Sequence, residues 1–318
     1  MQAVVQDRYG PPEHLRLVEL PVPTPGPEEV LIEVRATAVN LSDWETLVGS
    51  PAYARIGGLR RPRRPVLGSD IAGVVTEVGA AVAGFSPGDE VFADNLFPKG
   101  GFARYAAVPT DALAVKPPEL SFAEAAAIPQ SGAIALQGTA GAGPGSRVLI
   151  NGAGGGTGAF AIQVAKAAGA HVTGVDTAAK LEFMAEVGAD EVIDYRTVDV
   201  TRTGARWDLF LDLVAHRSVR ACRRALAPGG VYRAVGGSVP TLLRLLTVGT
   251  VVGQLSGRRI GVLPANEGPR YFLPLARRCA EGELQVHLDR IYPLAEAPEA
   301  LARVGAGHSL GKVIVADG

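Results

Sequence analysis

Sulfur and imidazole are scarce in this sequence: its 318 residues include two cysteines, Cys222 and Cys279, two methionines and five histidines. Two distant cysteines build neither a disulfide framework nor a four-cysteine zinc lobe, and such usage points to a reducing compartment. An excess of charge of one sign is absent too, because 31 basic residues nearly cancel 32 acidic ones and leave a net charge of -1. No global field gathers nucleic acid or an anionic membrane, and neither is expected as a partner. Long apolar runs are also missing. The start, Met1-Gln2-Ala3-Val4-Val5-Gln6-Asp7, has no basic segment followed by an apolar core, and the most apolar later stretch, 239–253, is interrupted by Pro240 and Arg244. A soluble, cytoplasmic protein is the expectation.

What is present is an ordinary globular mixture, 47% hydrophobic and 20% charged, in a chain long enough for two cores. Only five of the basic residues are lysine; with the surplus of Ala and Gly this reads as codon bias, and no function is drawn from it. The first 115 or so residues alternate short apolar runs with Pro and Gly, as in Val30-Leu31-Ile32-Glu33-Val34-Arg35-Ala36, the pattern of a turn-rich β domain. From about Ser121 the rhythm changes to Ala-rich helical stretches alternating with β-branched runs, the mark of a doubly wound parallel sheet. Strands are expected over 147–151, 171–175, 191–193, 207–213 and 230–235, and helices over 157–168, 178–187 and 218–226. A helix over 270–281, a strand over 286–291, a helix over 294–304 and a strand over 312–315 follow. The run 245–252 reads as an edge strand exposed in a monomer, through which two copies would pair as a homodimer.

The strongest motif is Val148-Leu149-Ile150-Asn151-Gly152-Ala153-Gly154-Gly155-Gly156-Thr157-Gly158. A buried strand turns there into a helix whose free N–H groups and positive dipole end suit a pyrophosphate. Gly155 lets the backbone near the phosphates and Gly158 lets the helix lie close on the sheet, while Gly152, Ala153, Gly156 and Thr157 complete the turn. Asp176, at the end of the next strand, is placed to accept both ribose hydroxyls, which favours NAD(H) over NADP(H). Two other readings stay open: Asp176 as a helix cap, and Lys180 as a partner for a phosphate.

Several ordered motifs accompany this turn. They are Ala38-Val39-Asn40-Leu41-Ser42-Asp43-Trp44, Leu67-Gly68-Ser69-Asp70-Ile71-Ala72-Gly73, Pro87-Gly88-Asp89-Glu90-Val91, Gly100-Gly101-Phe102-Ala103, Gly188-Ala189-Asp190-Glu191 and Leu310-Gly311-Lys312-Val313. Through them the whole chain resembles the medium-chain dehydrogenase/reductase superfamily, in its zinc-free quinone oxidoreductase-like branch. The resemblance implies an α/β protein with a GroES-like β-barrel substrate domain over 1–120, completed by 263–318. A Rossmann domain over 121–262 would be inserted, with the active site in the cleft between domains. It also places Tyr195 and Val214 near the adenosine, and Gly236 and Gly237 near the nicotinamide. Zinc-dependent alcohol dehydrogenases of the superfamily have Cys where this chain has Asn40, and a His-Glu pair where it has Ser69-Asp70. No metal site is expected, since zinc needs three converging N, S or O ligands.

Without a Lewis acid, reduction of an activated acceptor is easier to rationalise than oxidation of a plain alcohol. The expected function is hydride transfer from NAD(P)H to a small-molecule quinone or α,β-unsaturated carbonyl, with Asn40 as first candidate donor to the developing oxyanion and Gln130 and Ser131 as others. Asn40 as a turn or cap residue is the competing reading. Trp44, Glu45 and Leu255 are candidates for the substrate pocket. Trp44 either stacks on a flat ring or closes the core, and Glu45 is either a raised acid or an exposed helix carboxylate. Water is the default proton source. The alternatives are a tailoring enoyl or ketone reductase of secondary metabolism, supported by the arginine-rich run Arg60-Arg61-Pro62-Arg63-Arg64, and a non-catalytic NAD(P)H sensor.

Overall fold

The computed structural model describes residues 1–56 and 58–316. The chain forms two compact units: Met1–Ala133 with Glu267–Gly318, and Ile134–Asn266. In the first unit β1 (Gln2–Val5) and β2 (Arg16–Glu19) make a short hairpin-like pair. The main sheet is built from β3 (Glu29–Val39), β4 (Asp70–Val78), β5 (Glu90–Asp94), β6 (Tyr105–Pro109) and β7 (Leu113–Val115). The long β3 is its axis: it pairs antiparallel with β4 and β6, and two register shifts against β4 bend the sheet. One of them brings the strands so close that a Cβ on Gly73 would stand 2.1 Å from the Glu33 carbonyl oxygen. Val30, Ile32, Ile71, Val75, Val91 and Val108 fill the inside, the period-2 burial that a one-sided antiparallel sheet requires.

The helix Phe122–Ala127 starts at a capping box in which Ser121 Oγ accepts the Glu124 N–H at 3.2 Å and the Glu124 carboxylate accepts the Ser121 N–H at 2.9 Å. Ala125, Ala126 and Ala127 lie buried on this helix, which packs against β3 and β4.

The second unit is a six-stranded parallel sheet of β8 (Arg147–Asn151), β9 (His171–Asp176), β10 (Glu191–Asp194), β11 (Trp207–Asp212), β12 (Leu226–Ala234) and β13 (Arg259–Val262). The order across it is β10-β9-β8-β11-β12-β13, so the winding reverses beside β8, where open α/β sheets bind their ligands. Leu149, Val175, Trp207, Phe210, Cys222, Tyr232 and Ile260 form its core. Phe210 meets Tyr232 edge to face at 5.0 Å.

The expected edge strand over 245–252 is instead helical. A π-turn covers Leu245–Gly249 and an α-helix covers Thr250–Leu255. Burial there recurs every fourth residue, at Leu245, Gly249 and Gly253, which is a helix period that overrides the β-branched composition. The two glycines let the helix lie close over the next strand: a Cβ on Gly249 or Gly253 would stand 3.2 or 2.9 Å from the carbonyl oxygens of Ile260 and Arg258. The sheet's edge on this side is β13, paired only with β12 among the described residues, so the 245–252 run offers no strand for two-fold pairing.

The first unit resumes with a helix over Pro269–Ala280, β14 (Leu288–Tyr292), a helix over Ala297–Gly305 and β15 (Lys312–Val315). Strand β15 joins β3 antiparallel and carries β14 on its other side. No helix among the described residues is long and apolar enough to cross a membrane.

Candidate active site

Residues expected to hold a dinucleotide collect at the carboxyl ends of the second unit's strands. Gly152 follows β8 with φ +82°, and Val214 packs over it so closely that a Cβ on Gly152 would lie 3.2 Å from the Val214 side chain. The turn then enters the helix Gly156–Ala167. A Cβ on Gly158 would stand 2.4 Å from the Ala153 carbonyl oxygen, so only glycine lets the helix start there. Asp176 ends β9 and fastens the turn: its Oδ2 accepts the Gly154 N–H at 3.0 Å and its Oδ1 accepts the Thr177 N–H at 2.8 Å. Lys180, buried, reaches the same carboxylate at 3.6 Å.

Tyr195, half exposed, donates its N–H to the Asp176 carbonyl. Gly236 and Gly237 follow β12 with φ +69° and +115°. Sequence reading missed the residue that shapes this edge. Asp212, fully buried at the end of β11, accepts from Asn151 Nδ2 (2.8 Å), the N–H groups of Val214 (3.1 Å) and Ala215 (2.9 Å), and Tyr232 Oη (2.8 Å). Those bonds fix the loop that carries Val214, where Ala215 takes φ +51°.

In the first unit Asn40, Gln130 and Ser131 do come together, around a lysine. Asn40 follows β3 and caps the start of the helix Leu41–Val48. Its Oδ1 accepts from Lys312 Nζ at 2.6 Å, and the same ammonium donates to Ser131 Oγ at 3.2 Å and stands 3.9 Å from Asp70. Because an ammonium only donates, Asn40 must turn its amide nitrogen the other way, towards Ser69 Oγ at 3.1 Å. Ser69 donates onward to Asp43 at 3.2 Å, and Asp43 pairs with Lys99 at 2.9 Å. Every member of this chain is buried.

Asp70 accepts the Gln130 N–H at 3.2 Å. Burial pushes its carboxyl up to about 6, against the pull of Lys312 and Asn40. Asp94 faces Asp70 directly across the β4–β5 ladder; burial and the Asp70 and Glu267 carboxylates raise it to about 8. Its Oδ1 and the neighbouring Asn95 Oδ1 are buried and accept no hydrogen bond among the described residues.

The amide of Gln130 is different. Its Oε1 accepts from Ser42 Oγ at 3.0 Å, and its Nε2 has no partner among the described residues. Glu45 accepts from Tyr53 Oη at 3.2 Å, and burial holds its carboxyl above the usual carboxylate range. Trp44 closes the core: its ring lies on Gly305 so tightly that a Cβ there would come within 2.2 Å of it. Leu255 belongs to the other unit, 85% exposed at the end of its helix.

A catalytic zinc does not fit the Asn40–Ser69–Asp70 group. Its donors are one amide, one hydroxyl and one carboxylate, and the Lys312 ammonium already lies against two of them, so a second cation would meet a fixed positive charge. Among the described residues no three His, Cys, Asp or Glu side chains are grouped to hold a metal.

Comparison with known proteins agrees with both units. Residues 26–119 match the alcohol dehydrogenase GroES-like domain, and residues 187–315 the family described as zinc-binding dehydrogenase. The chain is 32% identical over 337 residues to the chloroplast envelope quinone oxidoreductase homolog of Arabidopsis thaliana, covering 99% of this chain and 98% of that protein. It is also 32% identical to the mitochondrial NAD(P)H oxidoreductase RTN4IP1 of Mus musculus, covering 99% of this chain and 89% of that one. The solved quinone oxidoreductase from Coxiella burnetii superposes with a TM-score of 0.90 at 30% identity, over 100% of this chain and 99% of that one.

Proposed function

The chain belongs to the medium-chain dehydrogenase/reductase superfamily, in its quinone oxidoreductase-like branch, and from that premise we propose that it is a zinc-independent reductase passing hydride from NAD(P)H to a quinone or α,β-unsaturated carbonyl. The observation that carries the reading is the pair of amides in the first unit: Asn40 is locked by Lys312 and Ser69, whereas Gln130 Nε2 is an unassigned donor beside it. Relatives whose names specify quinone or NAD(P)H oxidoreductases support the same class.

A reduced nicotinamide cofactor supplies the hydride when bound. The Gly152–Gly158 turn and the first-turn N–H groups of its helix would hold the pyrophosphate. Tyr195 and Val214 would border the adenosine, and Gly236 and Gly237 the nicotinamide side. Gln130 Nε2 donates to the acceptor oxygen on which negative charge develops. Asn40 is the residue that holds Ser69 and Lys312 in place, a correction to its expected role as first donor. Ser131, already accepting from Lys312, orients the same ammonium. One proton from water completes the reduction.

Asp176 no longer argues for NAD(H). Its oxygens hold Gly154 and Thr177 and face Lys180, so a 2′-phosphate meets a neutralised carboxylate, and both coenzymes belong to the proposal. Fluorescence titration with NADH and NADPH, followed by absorbance decay with quinones and enones, tests it. Turnover is expected, and Gln130→Ala should lower kcat about 100-fold at unchanged coenzyme affinity. Failure to bind either coenzyme overturns the reading. Binding without decay of any free acceptor would move it to a carrier-linked substrate or a sensor.

A further inference from the structure

A chain with a net charge of -1 nevertheless gathers five guanidinium groups around one concavity of the second unit. Arg206, Arg220, Arg223, Arg224 and Arg258 line a hollow of about 250 Å³, with no acidic side chain in its wall. Arg220, Arg223 and Arg224 come from the helix Val219–Ala225, Arg206 immediately precedes β11, and Arg258 immediately precedes β13. The site therefore opens at the edge from which the parallel strands start. The glycine turn lies at the opposite edge, about 20 Å away along a six-residue strand.

Three of the five arginines are already oriented by backbone carbonyls. Arg206 donates to Gly204 and Ala205, Arg224 to Thr201, and Arg258 to Leu226 and Ser256. The guanidinium groups of Arg220 and Arg223 have no hydrogen-bond or ion-pair partner among the described residues. A neighbouring hollow shows the contrast: it shares Arg220 and Arg224, but Asp199 enters it and neutralises Arg202 and Arg217 at 3.2 and 2.9 Å. The five-arginine hollow has no such counter-ion of its own.

We propose that this hollow is a binding site for a compact oligoanion carrying two or more adjacent phosphate groups. Planar guanidinium forks match phosphate oxygens two at a time, and groups fixed before binding lose little freedom on binding. A carboxylate or a single phosphate leaves most of the five charges uncompensated. A volume below that of most ligand pockets suits a small, densely charged ligand rather than an extended molecule. The inference is independent of the reductase reading, since none of the five arginines belongs to the glycine turn or the Asn40 group.

The test is calorimetric titration of the full chain with tripolyphosphate and with orthophosphate at about 0.1 M salt, where exposed charges are largely screened. Tripolyphosphate should bind one to one and at least 10-fold more tightly than orthophosphate. The double variant R220A/R223A should weaken it at least 10-fold while leaving NADPH affinity unchanged. A control removing the same charge elsewhere, R60A/R61A, should change it less than 2-fold. Equal losses in the two double variants would reduce the effect to general charge and overturn the site. So would unchanged binding in R220A/R223A, which would assign the heat to the glycine turn. Affinity for single-stranded oligonucleotides that exceeds that for tripolyphosphate and rises with length would overturn the small-ligand assignment in favour of nucleic acid.

Discussion

Asp212 and Asp94 each end a strand, one in each unit, and each is buried, yet their surroundings differ. Asp212 is met by four neutral donors: an amide, a phenol and two backbone N–H groups. Asp94 is met by carboxylates, Asp70 across the ladder and Glu267 beside it, and one of its oxygens accepts nothing among the described residues. Four convergent donors satisfy the Asp212 carboxyl oxygens, so Asp212 serves as a fixed strut for the Val214 loop. Convergent like charges make ionisation costly, so the Asp94–Asp70 pair retains a proton into the neutral range.

The sharpest way to break this comparison is Asp212→Ala. Three buried donors and the half-exposed Val214 N–H lose their acceptor; at about 1–3 kcal/mol for each buried donor, we expect denaturant unfolding to show a loss of about 4–6 kcal/mol, discounted for relaxation. A loss below 1 kcal/mol would mean that the strut is replaceable. Next comes Lys312→Met, which keeps the apolar stem but removes the cation between Asn40 and Asp70; breaking a buried pair costs about 3–5 kcal/mol. Chemical denaturation checks it, and an unchanged midpoint would show that Asn40 and Asp70 need no counter-charge.

Asp94→Asn sharpens the comparison and should act in the opposite direction. A carboxyl raised from 3.8 to about 8 on folding binds its proton more tightly in the native state, so the parent loses stability as pH rises through that window. The variant should match the parent at pH 4, flatten the slope above it, and be more stable at pH 9. The gain is about 2 kcal/mol, reduced from ~1.4 kcal/mol per unit because Asp94 and Asp70 titrate together. Thermal melts across that range measure it; a variant that remains parallel to the parent would place the retained proton elsewhere.

The glycine turn was legible because its parts are contiguous. Residues 152–158 carry their own steric logic, and Asp176 follows within one βαβ unit. Strands β8 and β9 stand where alternation and β-branching put them, whereas the 245–252 run deceived because its burial period is set by the sheet beneath it. The Asn40 group was half legible. Asn40 and Asp70 lie in recognisable motifs, but Lys312 is 272 residues from Asn40, and no local pattern encodes that meeting. One signal was overlooked. All five lysines of this arginine-rich chain sit within 4 Å of a carboxylate: Lys99 with Asp43, Lys116 with Glu90, Lys166 with Asp190, Lys180 with Asp176 and Lys312 with Asp70. Four of them are buried. A slender four-carbon stem ending in a compact charge enters sites that a flat guanidinium cannot, and three of the five lysine pairs, those of Lys99, Lys180 and Lys312, are interior.

Strand β15 completes the first unit's sheet and also delivers Lys312, which gives protein synthesis a fixed order of events. At about 5–20 residues per second, the ribosome needs about 15–55 s to travel the 272 residues from Asn40 to Lys312. During that interval the whole of the second unit has been made; Lys99 is already at hand for Asp43, while Asn40 and Asp70 wait without the cation that comes to lie between them. The nascent amino-terminal half is therefore the vulnerable species, and the last strand to emerge seals it.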